Sequence, residues 1–302
     1  MNTLGQANQR ICSVELSEPL QMKPLETLIL LGLLGALAGT ARGELQVVPV
    51  SEPVRVFAGV ARTFPVVWRN TSDSAVTAEV RTRLLQTSSA TTVTIGEWPW
   101  KKLQALRGQT ITERATLDFP AVKAETRFVI QWLESTNRVL GSTEVLVYPT
   151  NLLAELKTLA GEDESALGIF DPQKQIGPLL KTLKLDFADL EETGVESFRG
   201  RLAIIGQFAS RRQTPRDLGE RVEKLARKGV GVVWIQPPPE ARDPIKPSFY
   251  GVPFGSNAVV VAQAAMVSDL SERPQSQLNL IHFARQALNP EPIQLPRLHP
   301  EP

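Results

Sequence analysis

The sequence predicts two modules of different class in series. An all-β sandwich covers residues 44–150, and a doubly wound α/β layer of about five parallel strands covers residues 151–288. Three observations carry this. The first half holds short runs of β-branched and aromatic residues, several alternating apolar with polar. The second half holds near-continuous Val/Ile/Leu runs separated by helical periodicity, the pattern of a parallel sheet covered on both faces. The length of 302 residues, with 42% hydrophobic and 22% charged content, fits two ordinary globular domains.

Residues 1–43 lie outside both modules. From Met22 the chain reads MKPLETLILLGLLGALAGTARG, a lysine followed by an uncharged apolar core of 11 residues from Leu28 to Ala38. That length suits a secretory h-region and is short of the ~20 residues of a membrane span. Ala41 and Gly43 are spaced as the small residues before a cleavage site at Glu44. The segment is expected to be a signal peptide, with Met22 the candidate true start and an uncleaved membrane anchor the rival. The expected product is exported, to a periplasm or outside the cell, with no stable membrane span after cleavage.

The leader contains the chain's one cysteine, Cys12. Its removal leaves no thiol for a disulfide, a nucleophile or a metal site. It also takes away three Lys/Arg and three Asp/Glu, leaving 30 against 29. Without a basic run there is no electrostatic footprint for nucleic acid.

Seven runs build the first module: LQVVPV, RTFPVVWRN, AVTAEVRTRLLQ, TTVTIGEW, TITERATLDFP, ETRFVIQWLES and STEVLVYP. Turn signals separate them, at 69–75 (RNTSDSA) and 137–142 (NRVLGS). Seven strands in about 100 residues suit an immunoglobulin-like sandwich, here without its disulfide. Trp68 and Trp132 sit inside strand patterns and read as core. Trp98 and Trp100, in EWPWKK, form the partner-contact candidate of this half if exposed together. The alternative is one ring buried and one covering a sheet edge.

In the second module, strands are expected at ALGIF, DFADL, RLAIIGQ, VGVVWIQ and AVVVAQ, which suits a flavodoxin-like layer. The stretch TPRDLGERVEKLARKG predicts a helix with Thr214 as N-cap, Pro215 first and Gly229 as the stop. Leu218, Val222 and Leu225 form its apolar stripe. A last helix, RPQSQLNLIHFARQAL, stops at Asn289–Pro290, and its His282 is expected as a half-buried packing residue. Residues 289–302 form a tail with five prolines.

Chemistry in such a sheet belongs beyond the carboxyl ends of its strands. The residues placed there are Asp171, Gln207, Ser210 and Gln236, the candidate ligand-binding set. The alternative is that they satisfy loop amides. The receiver-domain position after the third strand holds Gln207 rather than aspartate, no glycine-rich phosphate loop follows the first strand, and no residues show metal-ligand spacing.

The segment RLAIIGQFAS to GVGVVWIQ, with Leu218, Leu225, Gly229 and Gly231 to Ile235, resembles a class I glutamine amidotransferase-like domain. It is similar to degenerate forms appended to bacterial secreted and glycoside-hydrolase-associated proteins, over about residues 166–288. The resemblance implies a nucleophilic cysteine at a tight strand-to-helix elbow. That position falls near Gln236, followed by Pro237, Pro238 and Pro239, which supply neither a nucleophile nor backbone amides for an oxyanion hole. The family's catalytic His–Pro–Glu has a counterpart in His299, Pro300 and Glu301, in the tail rather than after a strand. The reading is a non-catalytic exported interaction or scaffold module with a protein partner and no cofactor. Two alternatives stand beside it: a hydrolase of unrecognised type at the sheet's carboxyl edge, aided by Arg211 or Arg212, and a polysaccharide-binding module acting through Trp98 and Trp100. Mass spectrometry of the exported chain is expected to find Glu44 as the first residue; a mature chain retaining residues 22–43 contradicts the cleaved leader.

Overall fold

Strict alternation drives the first half into strands, as in β3 (Arg62–Asn70), where Phe64, Val66 and Trp68 are buried and their neighbours are not. A computed structural model of the chain describes residues 44–161, 163, 165–237, 248–263 and 266–290. The leader, the second and third prolines of the 237–239 run, and His299, Pro300 and Glu301 lie outside the described residues.

The other strands of this half are β1 (Leu45–Val47), β2 (Val54–Phe57), β4 (Val76–Thr87), β5 (Thr92–Ala105), β6 (Thr110–Leu117), β7 (Thr126–Glu134) and β8 (Val139–Tyr148). All seven expected runs form strands. The eighth, β2, escapes the pattern because it is only four residues long and directly follows a Glu–Pro turn. The strands form two sheets, β1-β3-β6 and β2-β8-β7-β4-β5, antiparallel throughout except that β2 runs parallel to β8.

Three indoles meet between these sheets. Trp68 of β3 lies edge-on to Trp132 of β7 at 5.6 Å between ring centroids, and Trp100 of β5 packs on both, at 5.8 and 4.8 Å. A β-bulge delivers Trp100. Val80 faces Lys101 and Arg81 faces Pro99, so Trp100 is the extra residue on β5. A bulge turns two successive side chains the same way, and here both turn toward the other sheet. Trp100 enters the indole cluster and Lys101 pairs with Glu113 of β6 at 2.5 Å. Trp98, half-buried, lies over Gly96, where an added Cβ would sit 2.6 Å from its ring. Both rings therefore pack against the sandwich core, and the exposed two-ring patch is not formed.

The turn read from RNTSDSA is organised by Asn70, which is fully buried. Its amide nitrogen donates to the carbonyls of Ser74, Ala105 and Leu106, and its oxygen accepts from the Ser72 amide and hydroxyl. Every polar atom of this buried side chain is thus satisfied, as burial requires.

The second half alternates strands and helices: α1 (Glu155–Ala160), β9 (Leu167–Phe170), α2 (Ile176–Thr182), β10 (Ala188–Asp189), α3 (Leu190–Thr193), β11 (Leu202–Ile205), α4 (Leu218–Arg227), β12 (Gly231–Gln236), β13 (Ser248–Phe254), β14 (Asn257–Gln263) and α5 (Pro274–Leu288). The sheet order is β10-β9-β11-β12-β14-β13, parallel except for β13, which pairs antiparallel with β14. Strand β13 was not expected because Gly251 and Pro253 interrupt its pattern; an edge strand tolerates both. One face buries Ile204, Val233 and Val260 against α1, α2 and α5; the other buries Ala203, Val232 and Val261 against α4.

Helix α4 starts at Leu218, three residues after the expected Pro215. Ser210 to Thr214 close instead around a 3-10 turn, and no side chain caps the helix. The predicted stop holds: Gly229 adopts φ +88°, which favours glycine. Gly231 answers a different need, since an added Cβ would lie 2.9 Å from the Ala287 carbonyl of α5. The described residues from Leu45 onward form one compact unit, with β2 touching α5. Among the described residues no helix is long and apolar enough to cross a membrane.

The indole N–H of Trp132 donates to Thr143 Oγ1 at 2.9 Å, whereas that of Trp68 is buried without a partner. Trp132→Phe orphans the Thr143 hydroxyl, while Trp68→Phe removes an orphan donor. Urea denaturation is therefore expected to find Trp132→Phe the more destabilising by about 1–3 kcal/mol. On the outer face of the same sheet, the hydrogen bond from Arg83, reinforced by Arg81, holds the Glu97 carboxyl below the usual carboxylate range. A depressed carboxyl stabilises the fold above its unfolded value, and that contribution is lost as pH falls through its folded value. Stability of the native chain is thus expected to fall more steeply than that of Glu97→Gln below about pH 4.3.

Candidate functional site at the carboxyl edge of the α/β sheet

Register fixes what this edge presents. Phe170 of β9 and Trp234 of β12 both pair with Ile205 of β11. The residues just beyond are Asp171, Gly206 and Gln207, with Gln236 at the end of β12 beside Gln263 of β14. The sheet thus brings three of the four predicted residues to one edge. Ser210 lies a loop further on, its carbonyl accepting from the Gln213 amide and the Thr214 hydroxyl. Arg211 and Arg212 are exposed.

Asp171 is buried, at 6% exposure. It opens the turn Asp171–Pro172–Gln173–Lys174, with aspartate and proline in the first two places of a β-turn. The Lys174 amide closes that turn on the Asp171 carbonyl at 3.0 Å, and Lys174 adopts φ +53°. The chain then doubles back so that the Ile176 and Gly177 amides both donate to Asp171 Oδ2, at 2.8 Å each. These are free amides of the first turn of α2, which need an acceptor. The neighbouring loop is held in the same way: Gln173 donates through Nε2 to the Gln207 carbonyl at 2.8 Å, and the Gly206 amide donates to the Phe170 carbonyl at 2.7 Å. Asp171 braces the neighbouring helix through its carboxylate, while Gln207 and Ser210 brace their loops through backbone carbonyls.

Sequence reading missed a cavity of about 250 Å3 on the β10 side of Asp171, whose lining includes Ile169, Lys174, Lys181, Phe187 and Asp189. No sequence motif marks these residues, although all of them lie between Ile169 and Asp189, where the chain runs from β9 through α2 to β10. Its charges are matched. Lys174 pairs with Glu191, whose hydrogen bond raises the lysine above its ordinary range, Lys181 lies 5.9 Å from the Phe187 ring centre, and Asp189 accepts from the Glu191 amide. The lining thus carries two lysines and two aspartates.

His282 is exposed on α5, with its ring edge-on to Phe249 of β13 at 5.7 Å, rather than half-buried. Among the described residues no three His, Cys, Asp or Glu side chains are grouped as a metal would need. A wide groove at one end of the sandwich is lined by Gln86, Ser88, Glu125, Arg127 and Glu144 among others, and no aromatic ring lines it.

No protein-family model and no curated protein matches the chain. Among solved structures, the chain is similar to the alkylpurine DNA glycosylase AlkC of Pseudomonas fluorescens, at 14% identity and TM-score 0.28, over 35% of this chain and 31% of that one. It is also similar to the sporulation control protein Spo0M of Bacillus subtilis (14% identity, TM-score 0.27, 39% and 56%) and to a β-glucosidase of Listeria innocua (17%, 0.27, 35% and 16%). In each case the chain covers less than two thirds of the other protein, and likenesses this slight carry no argument about activity.

Asp171→Ala leaves two amides without their acceptor and is expected to cost about 1–3 kcal/mol of unfolding free energy. Gln207→Ala, which keeps the backbone carbonyl used by Gln173, is expected to stay within about 0.5 kcal/mol by the same denaturant titration.

Proposed function

We propose that the chain is a non-catalytic exported protein in which an immunoglobulin-like sandwich is joined to a degenerate, amidotransferase-like α/β domain, serving as an interaction or scaffold module for a protein partner. The observation that carries this is the engagement of Asp171: among the described residues, the one buried carboxylate at the sheet's carboxyl edge spends one oxygen on two helix amides. A nucleophile needs a base within hydrogen-bond reach, and among the described residues the adjoining loop offers Gln207 and the exposed Arg211 and Arg212.

The strand orders support the finer fold names. The sequence β10-β9-β11-β12-β14 follows the 2-1-3-4-5 order of flavodoxin-like sheets, with β13 added at the edge. In the sandwich, Trp68 and Trp132 touch across the two sheets, a contact comparable to the inter-sheet disulfide of antibody domains. The elbow residue suggested by the amidotransferase resemblance, Gln236, is half-buried and precedes a buried Pro237. Polysaccharide binding through Trp98 and Trp100 loses its basis, because both rings pack on the core.

The purified chain is expected to turn over neither glutamine nor a panel of esters, peptides and glycosides above the rate of a heat-denatured control. Turnover that vanishes in Asp171→Asn while the melting temperature is unchanged would overturn this reading.

A further inference from the structure

Strand β13 ends its sheet, with β14 on one side and, among the described residues, no strand on the other. Its seven residues, SFYGVPF, carry no charge. Phe249, Tyr250 and Val252 are 49%, 52% and 41% exposed. An uncharged apolar edge of this length is what soluble proteins ordinarily blunt with lysine, bulges or a covering element.

The open side has a defined hydrogen-bonding pattern. The two-residue loop Gly255–Ser256 makes Phe254 and Asn257 a hydrogen-bonded pair. With period two, Tyr250 and Val252 also direct their amides and carbonyls to β14, while Phe249, Gly251 and Pro253 direct theirs outward. Pro253 therefore stands where its missing N–H breaks no bond to β14. The outward edge offers two donors, at Phe249 and Gly251, and three acceptors, at Phe249, Gly251 and Pro253.

We infer that β13 pairs antiparallel with β13 of a second copy of this chain, about a two-fold axis through Gly251, joining two six-stranded sheets into one. This register uses every donor. The two Gly251 residues exchange amide-to-carbonyl bonds, and each Phe249 amide meets the carbonyl of Pro253 in the other copy, giving four bonds. The same register sets Tyr250 opposite Val252 of the other copy on both sides of the axis, an aromatic and β-branched pair of the kind that stabilises antiparallel neighbours. A partner strand of unrelated sequence would have to match the missing Pro253 donor; the strand's own sequence already does, because its proline falls opposite a residue whose amide needs only an acceptor. Open space around Gly251, with nothing within 4 Å of an added Cβ, leaves the axis free.

Seven residues at about 3.4 Å each give an edge of about 24 Å, long enough to seat all four bonds. The aromatic contact of Phe249 with His282 and Phe283 of α5 continues the apolar edge onto the flanking helix.

The test is analytical ultracentrifugation of the whole chain at micromolar concentration, expected to give a dimer. Tyr250→Lys/Val252→Lys sets like charges opposite one another in this register and is expected to give a monomer. Tyr250→Glu/Val252→Lys sets opposite charges face to face and is expected to remain dimeric; retention there shows that the lysine pair fails by repulsion and not by misfolding. Cys12→Ser/Gly251→Cys places one thiol of each copy across the axis at a hydrogen-bonded pair, whose Cβ atoms stand too far apart for an unstrained disulfide but within reach of a short bis-maleimide. That reagent is expected to cross-link most of it. A monomeric native chain overturns the inference, as does a dimer that both lysines leave intact or one that Gly251→Cys fails to cross-link.

Discussion

A single carboxylate oxygen shared by two amides sets the geometry at the working end of the α/β layer. Asp171 leaves β9, opens a proline turn, and receives the first free amides of α2 on Oδ2 at 2.8 Å each. That contact fixes where α2 begins, and so where the cavity wall formed by Gly177 and Lys181 stands. Through Gln173 it also fixes the loop after β11. Parallel sheets gather loops from every strand at one edge, and those loops either hold chemistry or hold one another. Among the described residues, the side chains of Asp171 and Gln173 do the second.

The sandwich solves a different problem with the same economy. A chain without thiols beyond Cys12 has no cross-link between its sheets. Three indoles do the joining, and the third reaches the cluster only because β5 carries an extra residue opposite β4. The bulge turns Trp100 and Lys101 to the same side, closing the sheet edge with one aromatic contact and one ion pair to Glu113.

Most strands were legible in the amino-acid pattern because burial on one or both faces imposes it: period two in β3 and β4, continuous apolar runs in β11 and β12. The last helix and its stop were legible from Pro274 and Asn289–Pro290. What escaped lacked a periodic face. Strand β2 is too short to show a period, and β13 carries Gly251 and Pro253, whose acceptance depends on an edge position that no local pattern announces. The start of α4 moved from Pro215 to Leu218 because the preceding chain closes a 3-10 turn on Ser210, a tertiary choice over local propensity. For the candidate site, Asp171, Gln207 and Gln236 were placed correctly by strand ends alone. Their roles were not legible, since the two amides that occupy Asp171 come from a turn five and six residues later, and the cavity lining shows no spacing pattern although it lies within residues 169–189.

Hydrogen exchange at two amides tests this account most directly. If the Asp171 carboxylate is committed to bracing α2, the Ile176 and Gly177 amides exchange as slowly in the native chain as those of the buried strand Leu202–Ile205. Exchange at both positions as fast as in the exposed turn at Ser88–Ala90 would contradict it, leaving Asp171 with a carboxylate available for chemistry.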